Sequence, residues 1–186
     1  MNYYIGWDNG ATGSIGIVCE NESFFFPTPV MQVPNYTKEV QMIGRIHLSE
    51  LKKKFKEIIP GNITPRCLIE RPFMAPVNTI QAIVDGKDQK IITVNMNFFK
   101  ASLNAHRTFE ASIILLESLK YGYEVVDSKA WQKNILGTGI IGSKALKEAS
   151  KLRGIQLFPQ HEETIRKHKD ADGLLMAEFA RRYFNQ

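Results

Sequence analysis

The stretch YYIGWDNG, residues Tyr3–Gly10, is a short apolar run that ends in an acidic residue, Asp8. A second apolar run, SIGIV at Ser14–Val18, follows after the segment Asn9–Gly13. Glycine and asparagine supply the backbone conformations that a tight turn requires. The pattern therefore predicts a hairpin in the middle of the fold, with a carboxylate at its edge.

Two later segments also place acidic residues at the end of an apolar element. Glu70 ends the run RCLIE at Arg66–Glu70, and Asp170 and Asp172 open the last predicted helix. Mg²⁺ prefers oxygen ligands, and two such ions about 4 Å apart can clamp the attacking and leaving oxygens of one phosphodiester. The three acidic segments, taken together, predict a site for divalent cations.

Each acidic residue also has a purely structural alternative. Asp8 can cap the turn that follows it. Glu70 can form a salt bridge with Arg66 or Arg71, and the two acidic residues of the last helix can cap that helix. Two of them are less easily explained by structural roles, because Glu70 ends an otherwise apolar strand and Asp172 abuts the apolar run Leu174–Ala177.

The order of predicted elements indicates the fold class. Three strands joined by short links indicate an antiparallel meander, and the unbroken apolar run at Arg66–Glu70 fits a strand buried on both faces. Helices are predicted at about 49–59, at 102–121 and from Asp170 onward, and residues 72–100 form an irregular insert. This order predicts an α/β protein with a mixed sheet, in which three antiparallel strands are followed by parallel ones, and with helices on both faces. A length of 186 residues with 44% hydrophobic content predicts a single domain over residues 1–186.

Composition restricts the function classes only moderately. The net charge of +5 permits a polyanionic partner without requiring one. The two cysteines, Cys19 and Cys67, show neither metal-ligand spacing nor a disulfide framework, which predicts buried free thiols. The sequence has no secretory signal pattern and no apolar run of the roughly 18 residues that span a membrane. We therefore expect a soluble, cytoplasmic protein.

Several motifs resemble one known family. GWDNGATG at Gly6–Gly13 resembles the first motif of the RuvC-type Holliday-junction resolvases, and LIERPF at Leu68–Phe73 is similar to their second acidic strand. DADGLLMA at Asp170–Ala177 resembles their C-terminal acidic helix, and VDSKAW at Val126–Trp131 resembles a segment common in phage relatives. The resemblance covers nearly the whole chain. It implies a ribonuclease-H-like fold, a homodimer, and a role in DNA recombination and repair, in the host cytoplasm if the protein is phage-encoded.

The resemblance also assigns roles to the acidic residues. Asp8 matches the first-strand aspartate, Glu70 the middle glutamate and Asp172 the final aspartate of the family. These residues are implied to be catalytic and to hold two Mg²⁺ ions per site, with Mn²⁺ as a substitute. The implied reaction is hydrolysis of branched DNA, such as four-way junctions and possibly flaps, to 5′-phosphate and 3′-hydroxyl ends.

The fourth metal-ligand position departs from the family. The family has an acid or a histidine three residues before its final aspartate, and this chain has Lys169 there. Asp170 is the preferred substitute as a catalytic and metal-binding residue. Lys169 can instead hold a phosphate or stabilise developing charge, and His168 can transfer a proton or contact a metal.

Candidate DNA contacts lie mainly in and near the irregular insert. Phe73 and Phe99 are candidates for stacking on an unpaired base, a contact worth roughly 1–3 kcal/mol, and core positions are the alternative for both. The candidate phosphate contacts, for which a solvated surface position is the alternative, are Lys87, Lys90, Lys100, Arg107, Lys144 and Lys169.

Other functions compatible with the same motifs remain open. A ribonuclease H acting on RNA–DNA hybrids uses the same implied fold and chemistry, and a non-catalytic branched-DNA-binding protein would retain the fold alone. DNGATG at Asp8–Gly13 also resembles the phosphate-binding hairpin of sugar kinases and actin-like ATPases. Those proteins have two lobes, and 186 residues provide one.

Overall fold

The computed structural model describes residues 1–34, 42–74, 77–84 and 87–185, with the backbone alone for 77–84, 87–94 and 96. The strands are β1 (Tyr4–Trp7), β2 (Ser14–Val18), β3 (Ser23–Pro27), β4 (Val30–Pro34), β5 (Met42–Ile46), β6 (Arg66–Glu70), β7 (Val77–Val84), β8 (Lys87–Val94) and β9 (Gly122–Val126). The helices are α1 (Leu48–Ile58), α2 (Met96–Ser118), α3 (Ser128–Ile135), α4 (Ser143–Leu157), α5 (Glu162–Lys167) and α6 (Asp172–Phe184), with a 3₁₀ turn at Pro159–His161.

Five strands form a mixed sheet in the order β3-β2-β1-β6-β9. β1, β2 and β3 pair antiparallel, whereas β6 pairs parallel with both β1 and β9. The remaining described strands form two separate antiparallel pairs, β4 with β5 and β7 with β8. The predicted sheet, three antiparallel strands followed by parallel ones, is confirmed.

Helices cover both faces of this sheet, as predicted. Side chains alternate between the faces along each strand, so β1 directs Ile5 and Trp7 to one face and Tyr4 to the other. The first face packs against buried residues of α1 and α2, which are Leu51, Phe55, Leu115 and Leu116. The second face packs against α6, whose buried apolar residues are Leu174, Leu175, Met176, Ala177 and Ala180.

Helix α6 lies directly against the backbone of the two central strands because glycine occupies the contact positions. A Cβ atom on Gly6 would lie 2.1 Å from the backbone nitrogen of Ala177. A Cβ atom on Gly16 would lie 2.3 Å from Cα of Leu174. Since no other residue fits at these distances, the glycines fix how closely the start of α6 approaches β1 and β2.

The segment that the sequence left irregular, residues 72–100, contains more secondary structure than predicted. β7 and β8 form a hairpin in register from Val77 opposite Val94 to Val84 opposite Lys87. α2 begins at Met96 rather than near Ser102, and the prediction of its start is therefore wrong. Asn95 explains the earlier start, since its side chain accepts hydrogen bonds from the first backbone N–H groups of the helix.

The last helix also begins later than predicted. α6 starts at Asp172 with Ala171 at the N-cap position, so Asp170 precedes the helix rather than opening it. The two cysteines are buried free thiols, as predicted, with Cys19 4% and Cys67 0% exposed. None of the described helices is long and apolar enough to span a membrane.

Candidate functional site

Asp8 and Glu70 are neighbours because their strands are parallel and in register. Trp7 of β1 lies opposite Ile69 of β6, and the next residue along each strand is the acidic one. Parallel strands present their carboxyl ends at the same edge of a sheet. The two carboxylates therefore occupy adjacent positions at this edge.

Ser14 connects the end of β1 with the start of α6. Its carbonyl oxygen accepts a hydrogen bond from the backbone N–H of Asp8 at 3.0 Å, and its hydroxyl oxygen accepts one from the N–H of Gly173 at 3.1 Å. A Cβ atom on Gly173 would lie 2.4 Å from the same carbonyl oxygen. This close contact brings the first turn of α6, and with it Asp172, to the position of Asp8.

Three carboxylates from distant parts of the chain meet here. Asp8, Asp170 and Asp172 each offer an oxygen atom, and these atoms all lie within 4.8 Å of one another. Asp8 is 8% and Asp170 0% exposed. Glu70 lies outside this 4.8 Å group, but its pKa is raised to about 7, first by burial and then by the charge of Asp8.

The pKa values of the cluster reflect crowded like charges. Burial, followed by the charge of Asp170, raises the pKa of Asp172 well above its ordinary value. Burial also raises the pKa of Asp8, although the charge of Lys169 partly opposes this. A nearby cation favours the charged form of such carboxylates and lowers their pKa values.

Asp170 differs from Asp8 and Asp172 in that its pKa is lowered rather than raised. Burial alone would raise its pKa, but a side-chain hydrogen bond with His168 and the charge of Lys169 outweigh burial and lower it. The same hydrogen bond raises the pKa of His168. Nδ1 of His168 lies 3.6 Å from Oδ1 of Asp170. His168 therefore stabilises the charged form of Asp170.

Lys169 lies within the carboxylate cluster rather than on the open surface. Its Nζ atom is 3.2 Å from Oδ2 of Asp8 and 3.5 Å from Oδ2 of Asp170. Burial lowers the pKa of Lys169, but the charges of the two aspartates outweigh burial and raise it. The lysine is thus the cation that faces two of the three clustered carboxylates.

Two residues that the sequence did not single out as site residues orient the remaining carboxylates. The indole Nε1 of Trp131 donates a hydrogen bond to Oε2 of Glu70 at 2.9 Å, and the hydroxyl of Ser150 donates one to Oδ1 of Asp172. Both residues are fully buried and lie on helices remote in sequence from their partners. No local pattern in the sequence pairs them with an acid.

Two carboxylate oxygens in the cluster indicate that a metal ion would fit at this site. Oδ2 of Asp8 and Oδ2 of Asp170 are buried and accept no hydrogen bond from the described residues. The Lys169 ammonium lies 3.2 and 3.5 Å from these two oxygens, and a hard divalent cation is an alternative partner for buried carboxylate oxygens of this kind. The donor set consists of carboxylate oxygens only, which suits Mg²⁺ or Mn²⁺.

The salt bridge predicted as an alternative for Glu70 is absent from the described residues. Arg71 pairs instead with Asp127 at 3.3 Å, and the guanidinium of Arg66 lies 3.9 Å from the centre of the Phe184 ring. The capping alternative for the last helix is not met at its N-cap position, which is Ala171 and makes no side-chain hydrogen bond. Asp172 is an acidic residue in the first turn of α6.

A groove of about 210 Å³ adjoins Glu70. Its walls come from the loops after β1 and β6, from α2 and from the start of α3. It is lined by Asn9, Glu70, Arg71, Pro72, Phe73, Ala105, Asp127 and Ser128. The groove gives the carboxylate edge an open approach and contains one of the two candidate stacking residues.

The candidate DNA contacts are spread over several elements. Phe73 is 48% and Phe99 42% exposed, so the core alternative is wrong for both. Lys100 is exposed near the start of α2. Lys87 and Lys90 lie in β8, and their side chains are outside the described residues.

The two remaining basic candidates lie on helices α2 and α4. Arg107 is half-buried and lines a groove of about 490 Å³ together with residues of β5 and α1. Lys144 is exposed in the first turn of α4, six residues before Ser150. The helical rise places it about 9 Å along the axis from that residue.

Comparisons with known proteins agree with this architecture. No protein-family model and no curated protein matches the sequence. A solved structure of Thermus thermophilus RuvC in complex with a Holliday junction substrate is similar, with 11% identity, 99% of this chain and 95% of that chain covered, and a TM-score of 0.53. A second Thermus thermophilus RuvC structure matches at 11% identity over 98% of this chain and 95% of that chain, with a TM-score of 0.46. The resemblance to RuvC noted in the sequence is thereby confirmed at the level of the fold.

Proposed function

We propose that this protein is a metal-dependent, structure-selective DNA endonuclease that resolves Holliday junctions or other branched DNA. The observation that carries the proposal is the meeting of Asp8, Asp170 and Asp172 within 4.8 Å, on the fold that RuvC shares. The products would be 5′-phosphate and 3′-hydroxyl ends. The similar structure of Thermus thermophilus RuvC is a complex with a Holliday junction substrate, and this supports branched DNA as the substrate proposed here.

Asp8, Glu70, Asp170 and Asp172 would hold two Mg²⁺ ions, for which Mn²⁺ would substitute. When bound, such ions activate a water molecule and stabilise the leaving oxygen of the phosphodiester. The chain's own part is to keep the four carboxylates in place: Trp131 orients Glu70 and Ser150 orients Asp172. Fixed ligands on rigid strands and a helix lower the cost of assembling the site.

The DNA would reach the site through the groove beside Glu70. Phe73 is exposed at this groove and would stack on an unpaired base near the branch point. Lys100 and Lys144, both exposed, would contact phosphates and position the DNA without reading its sequence. Phe99, Lys87, Lys90 and Arg107 remain candidates for the same roles.

A homodimer would place two sites on one junction. Helix α2 supports this part of the proposal, since it exposes Leu103 by 54% and Ile114 by 61%. Eleven residues is close to three helical turns, so both side chains lie on the same side of α2, and we propose that this side contacts the second copy. Two sites related by symmetry would cut two opposed strands.

A cleavage panel tests the proposal. Wild-type protein and Asp8→Asn are compared on a four-way junction, a flap, a linear duplex and an RNA–DNA hybrid, with Mg²⁺ or Mn²⁺. We expect wild type to cut the junction or flap, and Asp8→Asn to bind the junction without cutting it. Glu163→Gln, a change at an exposed salt bridge with Lys167, is the matched control and should cut normally.

Two results would assign a different function. Preferential cutting of the hybrid would make the protein a ribonuclease H. Junction binding by wild type with no cleavage in either metal would make it a non-catalytic binding protein. Cutting by Asp8→Asn at the wild-type rate would remove the carboxylate cluster from the mechanism.

A further inference from the structure

One basic residue within the carboxylate cluster has no role in the ligand set. Nζ of Lys169 lies 3.2 Å from Asp8 and 3.5 Å from Asp170, and in both cases the nearer atom is Oδ2. The same two oxygens are the buried atoms that accept no hydrogen bond from the described residues. The ammonium group thus faces the two oxygens that are best placed to take a metal ion.

The other two carboxylates at the site accept hydrogen bonds from neutral groups. Glu70 accepts its hydrogen bond from the indole of Trp131, and Asp172 accepts one from the hydroxyl of Ser150. Both donors are neutral, so neither offsets the negative charge. Lys169 therefore makes the larger positive contribution at Asp8, and His168, which lies beside Asp170, makes a smaller one.

We propose that Lys169 is a built-in cation of the metal centre, and that a divalent ion has to compete with its ammonium group for Asp8 and Asp170. This inference rests on the proposed metal-dependent function. A lysine and a divalent ion that share the same two carboxylates repel each other strongly at such distances. In this chain the ammonium group stabilises the metal-free site and weakens binding of the ion on that side.

The structure gives Lys169 a route out of the cluster. Its side chain is 34% exposed, whereas the side chains of Asp8 and Asp170 are 11% and 1% exposed. A lysine ammonium sits on a flexible four-carbon stem. When an ion binds, the ammonium group moves to solvent while the aspartates stay fixed.

Metal binding without DNA tests the inference. Mn²⁺ alone is titrated into full-length wild type, Lys169→Met and Lys169→Arg by calorimetry, and the melting temperature is measured in EDTA and in saturating Mn²⁺. We expect Lys169→Met to bind Mn²⁺ at least about tenfold more tightly than wild type, because the competing charge is gone. It should melt at a lower temperature in EDTA and regain its stability in Mn²⁺. Lys169→Arg keeps the charge and should resemble wild type.

The matched control is Lys167→Met, which removes an exposed lysine paired with Glu163. It should leave Mn²⁺ affinity unchanged. If Lys169→Met does not fold, Lys169→Gln removes the same charge while keeping hydrogen-bond donors, and the same gain in affinity is expected.

If the neutral variants bind Mn²⁺ as tightly as wild type or more weakly, the inference is overturned. The metal centre itself would remain supported, because Mn²⁺ still binds. Failure of wild type and all variants to bind Mn²⁺ would instead overturn the proposed metal-dependent function. The two failures are thus distinguishable in one set of titrations.

Discussion

Nε1 of Trp131 donates a hydrogen bond to Oε2 of Glu70, 2.9 Å away. Trp131 is fully buried on α3 among the residues that pack around α6, and Glu70 ends β6 at the edge of the sheet. Burial raises the pKa of Glu70 to about 7, and the indole N–H acts in the opposite direction. This bond therefore connects the packing of a helix to the charge of a candidate metal ligand.

Replacing the indole should weaken metal binding in a pH-dependent way. In Trp131→Phe the pKa of Glu70 rises further, because its hydrogen-bond donor is lost. We expect weaker Mn²⁺ binding, with a larger loss near pH 6 than near pH 8, because a larger fraction of Glu70 is deprotonated at the higher pH in either protein. The smaller ring should also lower the free energy of unfolding by about 1–3 kcal/mol. Calorimetric titration at the two pH values and urea unfolding measure these effects.

Ile135→Val is the matched control, since Ile135 is buried in the same helix and carries no polar side-chain atom. It should cost about 0.5–1.5 kcal/mol of stability without changing how Mn²⁺ affinity depends on pH. An equal loss of affinity at both pH values in Trp131→Phe would show that the hydrogen bond does not control Glu70.

Adding one methyl group between β1 and α6 should be severely destabilising. In Gly6→Ala the new Cβ would lie 2.1 Å from the nitrogen of Ala177, and backbone has to shift to relieve the contact. We expect a loss of at least about 3 kcal/mol in the free energy of unfolding, measured in urea. Mn²⁺ affinity should fall as well, because α6 carries Asp172.

The control for this prediction is Gly61→Ala in the turn after α1. A Cβ atom at Gly61 meets nothing within 4 Å, and its φ is not positive. Its effect should stay within about 0.5 kcal/mol. Similar stability of the two alanine variants would mean that α6 does not rest on the strand backbone as closely as described.

The features that the sequence predicted correctly depend on patterns among residues that are close together along the chain. An apolar run ending in an acid locates Asp8 and Glu70 at strand ends, and parallel pairing then makes them neighbours without further information. The change from antiparallel to parallel pairing also follows from the short links between the first three strands and from the unalternating apolar run at Arg66–Glu70. Asp170 and Asp172 were predicted on the last helix, although only Asp172 belongs to it.

The contacts that the sequence did not predict depend on tertiary packing. Ser150 faces Asp172 only because α4 packs against the start of α6, where a Cβ atom on Gly154 would lie 2.5 Å from that of Ala171. The start of α2 was missed for a local reason. The sequence predicts an irregular insert over residues 72–100, whereas Asn95 within that range caps the helix.

Ser150 should contribute to stability through two hydrogen bonds. Its hydroxyl oxygen accepts one from the backbone N–H of Ala171 at 3.0 Å and donates one to Asp172. Ser150→Ala leaves a buried N–H group and a carboxylate without this partner, which should cost about 1–3 kcal/mol in urea unfolding with EDTA present. Since the Ser150 bond lowers the pKa of Asp172, its loss should also weaken Mn²⁺ binding.

Ser118→Ala is the corresponding control, because Ser118 is exposed at the end of α2 and its hydroxyl donates a hydrogen bond to the carbonyl oxygen of Leu115. A change within about 0.5 kcal/mol is expected there. Unchanged stability in Ser150→Ala would indicate that water replaces the serine hydroxyl at this position.

The metal-free protein should lose stability as pH rises from about 5 to about 8. A group whose pKa is higher in the folded than in the unfolded protein stabilises the fold below its unfolded pKa, and this contribution is lost as pH rises through the folded value. For Glu70 the window runs from 4.5 to about 7. The loss from this residue alone should reach about 3 kcal/mol in the free energy of unfolding.

The other groups at the site fit this direction. The raised pKa values of Asp172 and His168 add to the loss, whereas the lowered pKa of Asp170 acts only at more acidic pH. Glu70→Gln removes the contribution of Glu70 to the pH dependence. In EDTA its free energy of unfolding should decline less steeply with pH than that of wild type. Glu163→Gln, at an exposed carboxylate, should keep the wild-type slope.

Mn²⁺ should reverse the decline, because a divalent ion binds the deprotonated carboxylates that repel one another in its absence. Urea unfolding at several pH values, with EDTA or with Mn²⁺, measures both effects. Stability that rises with pH in EDTA would show that burial and neighbouring charges do not raise the pKa values of these carboxylates in the folded protein. Absence of any stabilisation by Mn²⁺ would count against the proposed metal centre.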